Sequence, residues 1–257
     1  MTLVMGILNV TPDSFSDGGE YLDPNRAIAR GLEMIEEGAT IIDVGGESTK
    51  PGAERVSMDE ELTRIIPVIH ELAKSGALVS VDTMRAEVAA LAVAAGAKII
   101  NDVSGGLADP AMHATAAALK TQYICMHWRG QSKDMDSLAK YEDVVRDVIN
   151  ELTKQVAAAL LAGIEPTKLV IDPGLGFAKS AEQNWELLRN IDKFKELGFP
   201  ILVGGSRKRF LGGSEPSQRE SASIALTTWL ATKDIWGVRT HTVKPHVDAI
   251  NVIGQVL

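Results

Sequence analysis

Residues 78–102 read LVSVDTMRAEVAALAVAAGAKIIND. A short β-branched run, Leu78 to Val81, ends on the carboxylate of Asp82. A helical segment rich in Ala and Leu follows from Arg85 to Ala95, and a second apolar run, Lys98 to Ile100, ends on Asn101. No hairpin signal separates the two runs, so the helix reads as a crossover between parallel strands.

The same unit recurs in both directions along the chain. The runs Leu3 to Leu8, Thr40 to Val44, Leu78 to Val81, Lys98 to Ile100, Gln122 to Met126, Leu169 to Ile171, Ile201 to Val203 and Trp236 to Val238 give eight candidate strands. Helix-period segments alternate with them, including Asn25 to Glu37, Met58 to Lys74, Arg85 to Ala95, Leu138 to Ala162 and Ser217 to Ala231. Each strand ends in polar residues: Asn9, Asp43, Asp82, Asn101, His127, Asp172, Ser206 with Lys208, and Arg239 with His241. The spacing is about 33 residues per unit, close to the roughly 31 of a barrel of eight units in about 250 residues. The sequence predicts an α/β protein, a TIM (β/α)8 barrel formed as a single domain over residues 1–257. An open Rossmann-like sheet is the competitor, but no GxGxxG opens a helix after the first strand. In a barrel the strand ends converge, so one site is expected at one mouth.

Composition narrows the function classes. The 257 residues carry 26 Lys and Arg against 34 Asp and Glu, and a net charge of −8 argues against a nucleic-acid binder resting on a broad basic surface. With 45% hydrophobic and 23% charged residues the chain reads as an ordinary globular protein. Its one cysteine, Cys125, offers no internal disulfide and no thiolate cluster for a metal, which suits a cytoplasmic location. No apolar run reaches the roughly 20 residues of a membrane helix, and Met1 to Val10 reads as part of the fold rather than as a signal peptide.

Two loops stand out. Asn9 to Gly19, NVTPDSFSDGG, is long for a βα connection and sets Phe15 among turn formers and carboxylates; Asp13 or Asp23 could serve as a helix cap nearby. Gly45 to Ala53, GGESTKPGA, has small residues that admit a close ligand, and one cation.

The strings NVTPDSFSDGG (9–19), DVGGESTKPGA (43–53), SVDT (80–83), NDVSGG (101–106), MHW (126–128), DPGLGFAK (172–179), GGSRKRFLG (204–212) and VRTH (238–241) resemble those of the dihydropteroate synthase family, in family order and over essentially the whole chain. The resemblance implies a pterin-binding TIM barrel that joins 6-hydroxymethyl-7,8-dihydropterin diphosphate to 4-aminobenzoate, giving 7,8-dihydropteroate and pyrophosphate in folate biosynthesis. It also implies sulfonamides as competitors, Mg2+ as cofactor and a homodimer built through helices of the C-terminal half. By the residues alone, carboxylates and an amide suit the guanidine-like edge of a pterin. By the resemblance, Asp82, Asn101 and Asp172 hold the pterin, Lys208 donates to its carbonyl and ring-nitrogen edge, and Met126 joins the substrate pocket. Arg239 and His241 hold the diphosphate, with Asn9 at the metal and diphosphate site and Asp17 in the loop that closes over it. Phe15, Pro51 and Phe177 surround the benzoate ring, Thr49 and Lys50 lie on the covering loop, and Arg209 stands near the carboxylate. Asp82, Asp172, Lys208, Arg239 and His241 carry the expected chemistry, along an SN1-like path with direct displacement as the alternative.

Three positions depart from the family's pattern. Lys50 stands where Arg is usual, Thr242 where Asp usually follows the histidine, and Gly205 where a side chain is common, which suggests a looser seventh strand or a gap. Two rivals share the pterin ligands. A methyltransferase barrel has no use for Arg239 and His241 as a diphosphate clamp, and a non-catalytic paralogue would bind pterin without turnover. His70, His113 and His246 fall on helical segments and read as surface residues. The segment 130–137 reads as a connecting loop.

Overall fold

In the computed structural model the described residues are 1–11, 23–47, 55–131 and 135–257. They contain eight parallel strands: β1 (Leu3–Asn9), β2 (Ile41–Gly45), β3 (Val79–Asp82), β4 (Ile99–Asp102), β5 (Gln122–Met126), β6 (Leu169–Asp172), β7 (Leu202–Val203) and β8 (Gly237–Thr240). Their order is β6-β5-β4-β3-β2-β1-β8-β7. The sheet closes where Ile171 bridges Ile201 in parallel and the Ile171 N–H donates to the Pro200 carbonyl at 2.9 Å. The result is the (β/α)8 barrel that the repeat predicts.

Most strands run one or two residues past the apolar runs. The ladder continues through polar residues such as Asp82, paired with Asn101, and Asp172, paired with Met126. These residues are buried by the barrel rather than by their own hydropathy, so the sequence pattern stops short of the hydrogen bonding. Below them Met5, Ile41, Ile99, Ile124, Val170 and Leu202 fill the interior, with Leu3 and Trp236 packed against them. Outward-facing neighbours such as Leu8, Val44, Val81 and Ile171 join the larger layer between strands and helices. Burying each such side chain contributes about 1.5–3 kcal/mol.

The helices are α1 (Pro24–Glu36), α2 (Met58–Lys74), α3 (Ala86–Ala94), α4 (Met112–Leu119), α5 (Val144–Leu161), α6 (Ala181–Arg189), α7 (Ile191–Lys195), α8 (Glu220–Ala231) and α9 (Lys244–Val256). Asp23 caps α1 by accepting from the Asn25 N–H at 2.9 Å. The helix expected from Leu138 starts later: Asp143 caps α5 through the Arg146 N–H, and only a 3-10 turn, Met135–Leu138, precedes it. Likewise α8 follows a separate 3-10 turn at Pro216–Arg219.

Buried ion pairs brace the loop flanks at the mouth. Glu61 on α2 accepts from Thr83 Oγ1 at 2.7 Å and pairs with Arg85, which also donates to the Val56 carbonyl at 2.6 Å and to Glu47 at 2.8 Å. Both flanks of segment 48–54 are thus tied to the β3–α3 connection.

Two expectations need correction. His70 is exposed, but His246 is fully buried between α8 and α9, where Nδ1 lies 2.8 Å from Thr227 Oγ1; His113 is half-buried, edge-on to Tyr123. A single sequence does not reveal which face of α9 meets α8. Gly205 marks no gap: a Cβ there would lie 2.6 Å from Leu226 Cδ2, so glycine lets α8 close onto the end of β7. Gly205→Ala is expected to lower stability by about 1–3 kcal/mol through overpacking, read from the midpoint of urea unfolding with the slope unchanged.

Candidate active site

At the C-terminal mouth, β2, β3, β4 and β8 aim their last inward side chains at one another. Arg239 Nε donates to Asp43 Oδ2 at 2.6 Å and its Nη2 to Asp82 Oδ2 at 2.5 Å, while Asn101 Nδ2 donates to the same Asp43 oxygen at 2.9 Å. Asp43 is wholly buried, and its second oxygen, Oδ1, has no hydrogen-bond partner. Burial raises the Asp82 carboxyl against the pull of Arg239, and Asp43 adds to the rise. Although burial works against its charge, Arg239 is held cationic by Asp43 and Asp82.

On the other side of the mouth, β6 delivers Asp172, whose Oδ1 accepts from the Gly174 N–H at 2.7 Å. Gly174 must be glycine, because its φ is +70° and a Cβ would lie 2.3 Å from the His127 carbonyl. Burial pushes Asp172 up to about 6, opposed by that N–H and by Lys208 and Arg239. Lys208 Nζ stands 4.2 Å from the Phe177 ring centroid, and burial with nearby Arg239 lowers its pKa to about 8. Phe177 and Met126 pack with Val103 and Ala178 in a small apolar cluster at the mouth. The structure therefore brings Asp82, Asn101, Met126, Asp172, Phe177, Lys208 and Arg239 together.

His241 follows β8 and lies against Ser206, with Nδ1 3.0 Å from Ser206 Oγ and its backbone N–H donating to the same oxygen at 3.2 Å. Burial, then the cations Arg207, Arg239 and Lys208, push its pKa down to about 3, so the imidazole is neutral at pH 7. Asn9 ends β1 partly buried, and Arg209 is exposed at the start of the 3-10 turn Arg209–Leu211. Phe15, Asp17, Thr49, Lys50 and Pro51 lie outside the described residues. Among the described residues no group of three or more His, Cys, Asp and Glu side chains could hold a metal ion.

Residues 5–241 match the family model of pterin binding enzymes. The dihydropteroate synthase of Mycobacterium leprae (strain TN) is 50% identical over 264 residues, covering 99% of this chain and 93% of that protein. This chain belongs to the dihydropteroate synthase family. Among solved structures, Xanthomonas albilineans dihydropteroate synthase with 4-aminobenzoic acid superimposes with a TM-score of 0.93 at 45% identity, covering 99% of this chain and 93% of that one. The enzyme of the same organism in complex with 7,8-dihydropteroate gives 0.89 at 42%, with the same coverage.

Against the dihydropteroate synthase pattern, Thr242 is the informative departure. Its hydroxyl donates to Glu220 at the start of α8, and Glu220 also pairs with Arg207 at 2.8 Å and reaches His246 at 3.3 Å. A carboxylate thus stands beside the residue after His241, supplied from another element.

Sequence reasoning passed over four neighbours of the site. Asp43 appeared only as a strand end, although it bonds both Arg239 and Asn101. Lys179, His127 and Glu151 form a chain behind Phe177: Lys179 Nζ is 2.9 Å from His127 Nδ1, and His127 Nε2 is 2.9 Å from Glu151 Oε2. Lys179 closes the DPGLGFAK string and His127 follows β5, so both were visible, but nothing in the sequence pairs them with Glu151 on α5.

Because the folded-state pKa of Asp172 is raised, its contribution to stability is fully present below the usual carboxylate value and is lost as pH rises through about 6. Asp172→Asn removes that loss. Relative to the wild type, the variant is expected to gain roughly 2–3 kcal/mol between pH 4 and pH 8, measured as the difference between two unfolding curves followed across that range.

Proposed function

We propose that this chain catalyses the condensation of 6-hydroxymethyl-7,8-dihydropterin diphosphate with 4-aminobenzoate, releasing 7,8-dihydropteroate and pyrophosphate in folate biosynthesis. The observation that carries the reading is the shared mouth: buried carboxylates, an amide, Lys208 and Arg239 converge beside the aromatic wall of Phe177. Asp172 and Asp82 with Asn101 suit the donor-rich edge of the pterin, and Lys208 suits its acceptor edge. One domain, residues 1–257, carries the reaction.

The electrostatics favour an SN1-like path. The methylene carbon–oxygen bond breaks with its electron pair leaving on pyrophosphate, and the methylene cation is delocalised into the dihydropterin ring. Two carboxylates against one guanidinium, with Asp172 close by, give the pterin side a negative potential that favours this cation. The neutral amine of 4-aminobenzoate then forms the carbon–nitrogen bond and gives up a proton. An aniline needs no strong base, so positioning by Phe177, with Phe15, Pro51, Thr49 and Lys50 on the covering loops and Arg209 near the carboxylate, supplies the rest. Pterin diphosphate binds first, the loops carrying Asp17 and Lys50 close, and water is kept from the cation.

Arg239 uses Nε and Nη2 on Asp43 and Asp82, and Nη1 takes part in neither contact. That atom and the neutral His241 are the donors for the diphosphate. The amide oxygen of Asn9, a hard donor at the end of β1, would hold Mg2+. Mg2+ held there would neutralise charge on the leaving group. A homodimer through the C-terminal half fits the exposed apolar residues of α9, Val252 and Val256. A cytoplasmic setting fits the buried free thiol of Cys125.

Purified protein with both substrates and Mg2+ is expected to form pteroate that depends on 4-aminobenzoate, with kcat/KM lowered about 100- to 1,000-fold in Asp172→Asn and in Arg239→Ala. Pterin diphosphate binding without product would favour the non-catalytic paralogue. The path is tested separately with the diphosphate of the fully oxidised pterin, whose electron-poor ring does not stabilise the cation. It is expected to turn over at least about 100-fold more slowly, and an equal rate would establish direct displacement.

A further inference from the structure

We propose that Lys179 is a positioning residue that fixes the aromatic wall at Phe177 and so sets the affinity for 4-aminobenzoate, a role that rests on the function proposed above. The β6–α6 connection contains three residues with left-handed backbone, Gly174 (φ +70°), Gly176 (φ +75°) and Ala178 (φ +48°). Within the loop the Phe177 N–H donates to the Gly174 carbonyl at 3.2 Å. Two of the loop's carbonyls converge on the Lys179 ammonium: Nζ donates to the Gly174 carbonyl at 2.9 Å and to the Phe177 carbonyl at 3.0 Å.

The third acceptor is the Nδ1 of His127, at 2.9 Å. His127 is fully buried, and its Nε2 faces the Glu151 carboxylate at 2.9 Å. An ionised carboxylate only accepts, so it selects the imidazole tautomer with the proton on Nε2 and leaves the Nδ1 lone pair for Lys179. Glu151 is itself held by Arg129, whose Nε donates at 2.9 Å and whose Nη1 donates to the Lys140 carbonyl at 2.6 Å. Three ammonium hydrogens thus meet three acceptors, and the chain runs from the substrate loop through β5 to α5.

Helix capping does not account for the lysine. Ser180 caps α6 in a reciprocal capping box with Gln183, using its own hydroxyl and backbone. Nor does Lys179 hydrogen-bond the carboxylate that would read the pterin: Asp172 Oδ1 accepts from the Gly174 N–H, and Lys179 acts on Asp172 only through its charge. Residues 174–177 are also held by the Gly174 N–H on Asp172, the Gly176 N–H on Asn184 Oδ1 at 2.7 Å and the Phe177 N–H on the Gly174 carbonyl at 3.2 Å; what Lys179 adds is the hold on the Phe177 carbonyl, and with it the Phe177 ring under Lys208. Loss of the clamp therefore weakens the benzoate side more than the pterin side.

The test is Lys179→Met, which keeps chain length and removes all three hydrogen bonds, beside Glu151→Gln, which spares Lys179 and loosens the tautomer of His127. In steady-state assays of the full chain, Lys179→Met is expected to raise KM for 4-aminobenzoate about tenfold, with KM for pterin diphosphate and kcat each within about threefold of wild type. Glu151→Gln is expected to move KM for 4-aminobenzoate in the same direction by about threefold, and it keeps the test open should Lys179→Met fail to fold. Unchanged KM values, or equal rises for both substrates, would overturn the role. Amide hydrogen exchange gives a readout independent of turnover: exchange over residues 174–178 is expected to be about tenfold faster in Lys179→Met, and unchanged protection there would sink the clamp. A wild-type protein that makes no pteroate while the variant still loses protection would instead fault the proposed reaction.

Discussion

The pairing of Arg239 with Asp43 and Asp82 is the constraint around which the mouth is built. Three charges from β8, β2 and β3 are taken out of water together, and each is tolerable only because the others are within hydrogen-bonding distance. Removing one partner of a buried pair typically costs about 3–5 kcal/mol, since it strands the remaining charge. The parallel register places these residues at compatible heights, and the apolar plug from Met5 to Leu202 beneath them keeps water out from below. The group sets both signs of charge side by side at the mouth before any ligand arrives.

The rest of the rim repeats that logic on a smaller scale. Glu61 and Arg85 hold the flanks of one loop, Glu220 gathers Arg207, Thr242 and His246 behind another, and Glu151 with Arg129 stands behind His127. Thr83 after β3, His127 after β5 and Thr242 after β8 are each backed by a carboxylate from a neighbouring helix. Thr242 illustrates the point: the carboxylate usual at that position is absent from the chain order, yet Glu220 supplies one in space.

The architecture was legible because eight β-branched runs at even spacing admit few alternatives to a closed parallel sheet, and because polar residues at strand ends are out of place unless they meet. That logic located Asp82, Asn101, Asp172, Lys208 and Arg239 at the mouth. It could not rank Asp43 above any other strand-end carboxylate, since its importance comes from contacts with β4 and β8 at large sequence separation. Helix faces were the other blind spot. His246 looks like a surface residue until α8 packs on α9, and Gly205 looks like a defect until Leu226 fills the space. The start of α5 was misplaced because an apolar helical pattern carries on past a cap at Asp143. The roles expected of the aromatic and cationic residues of the first two loops rest on family resemblance, and those residues lie outside the described ones.

The closure of the barrel differs around its circumference. Seven strand junctions are ladders, whereas β6 meets β7 through one bridge and the Pro200 carbonyl. This seam lies beneath Asp172 at the end of β6 and the two loops that carry Phe177 on one side and Lys208 on the other. A small opening along it would separate the floor of the substrate pocket from its cationic lid without disturbing the Arg239 cluster across the mouth. The barrel is thus laddered around most of its circumference and joined by a single bridge at one seam, and the Arg239 cluster stands on laddered strands.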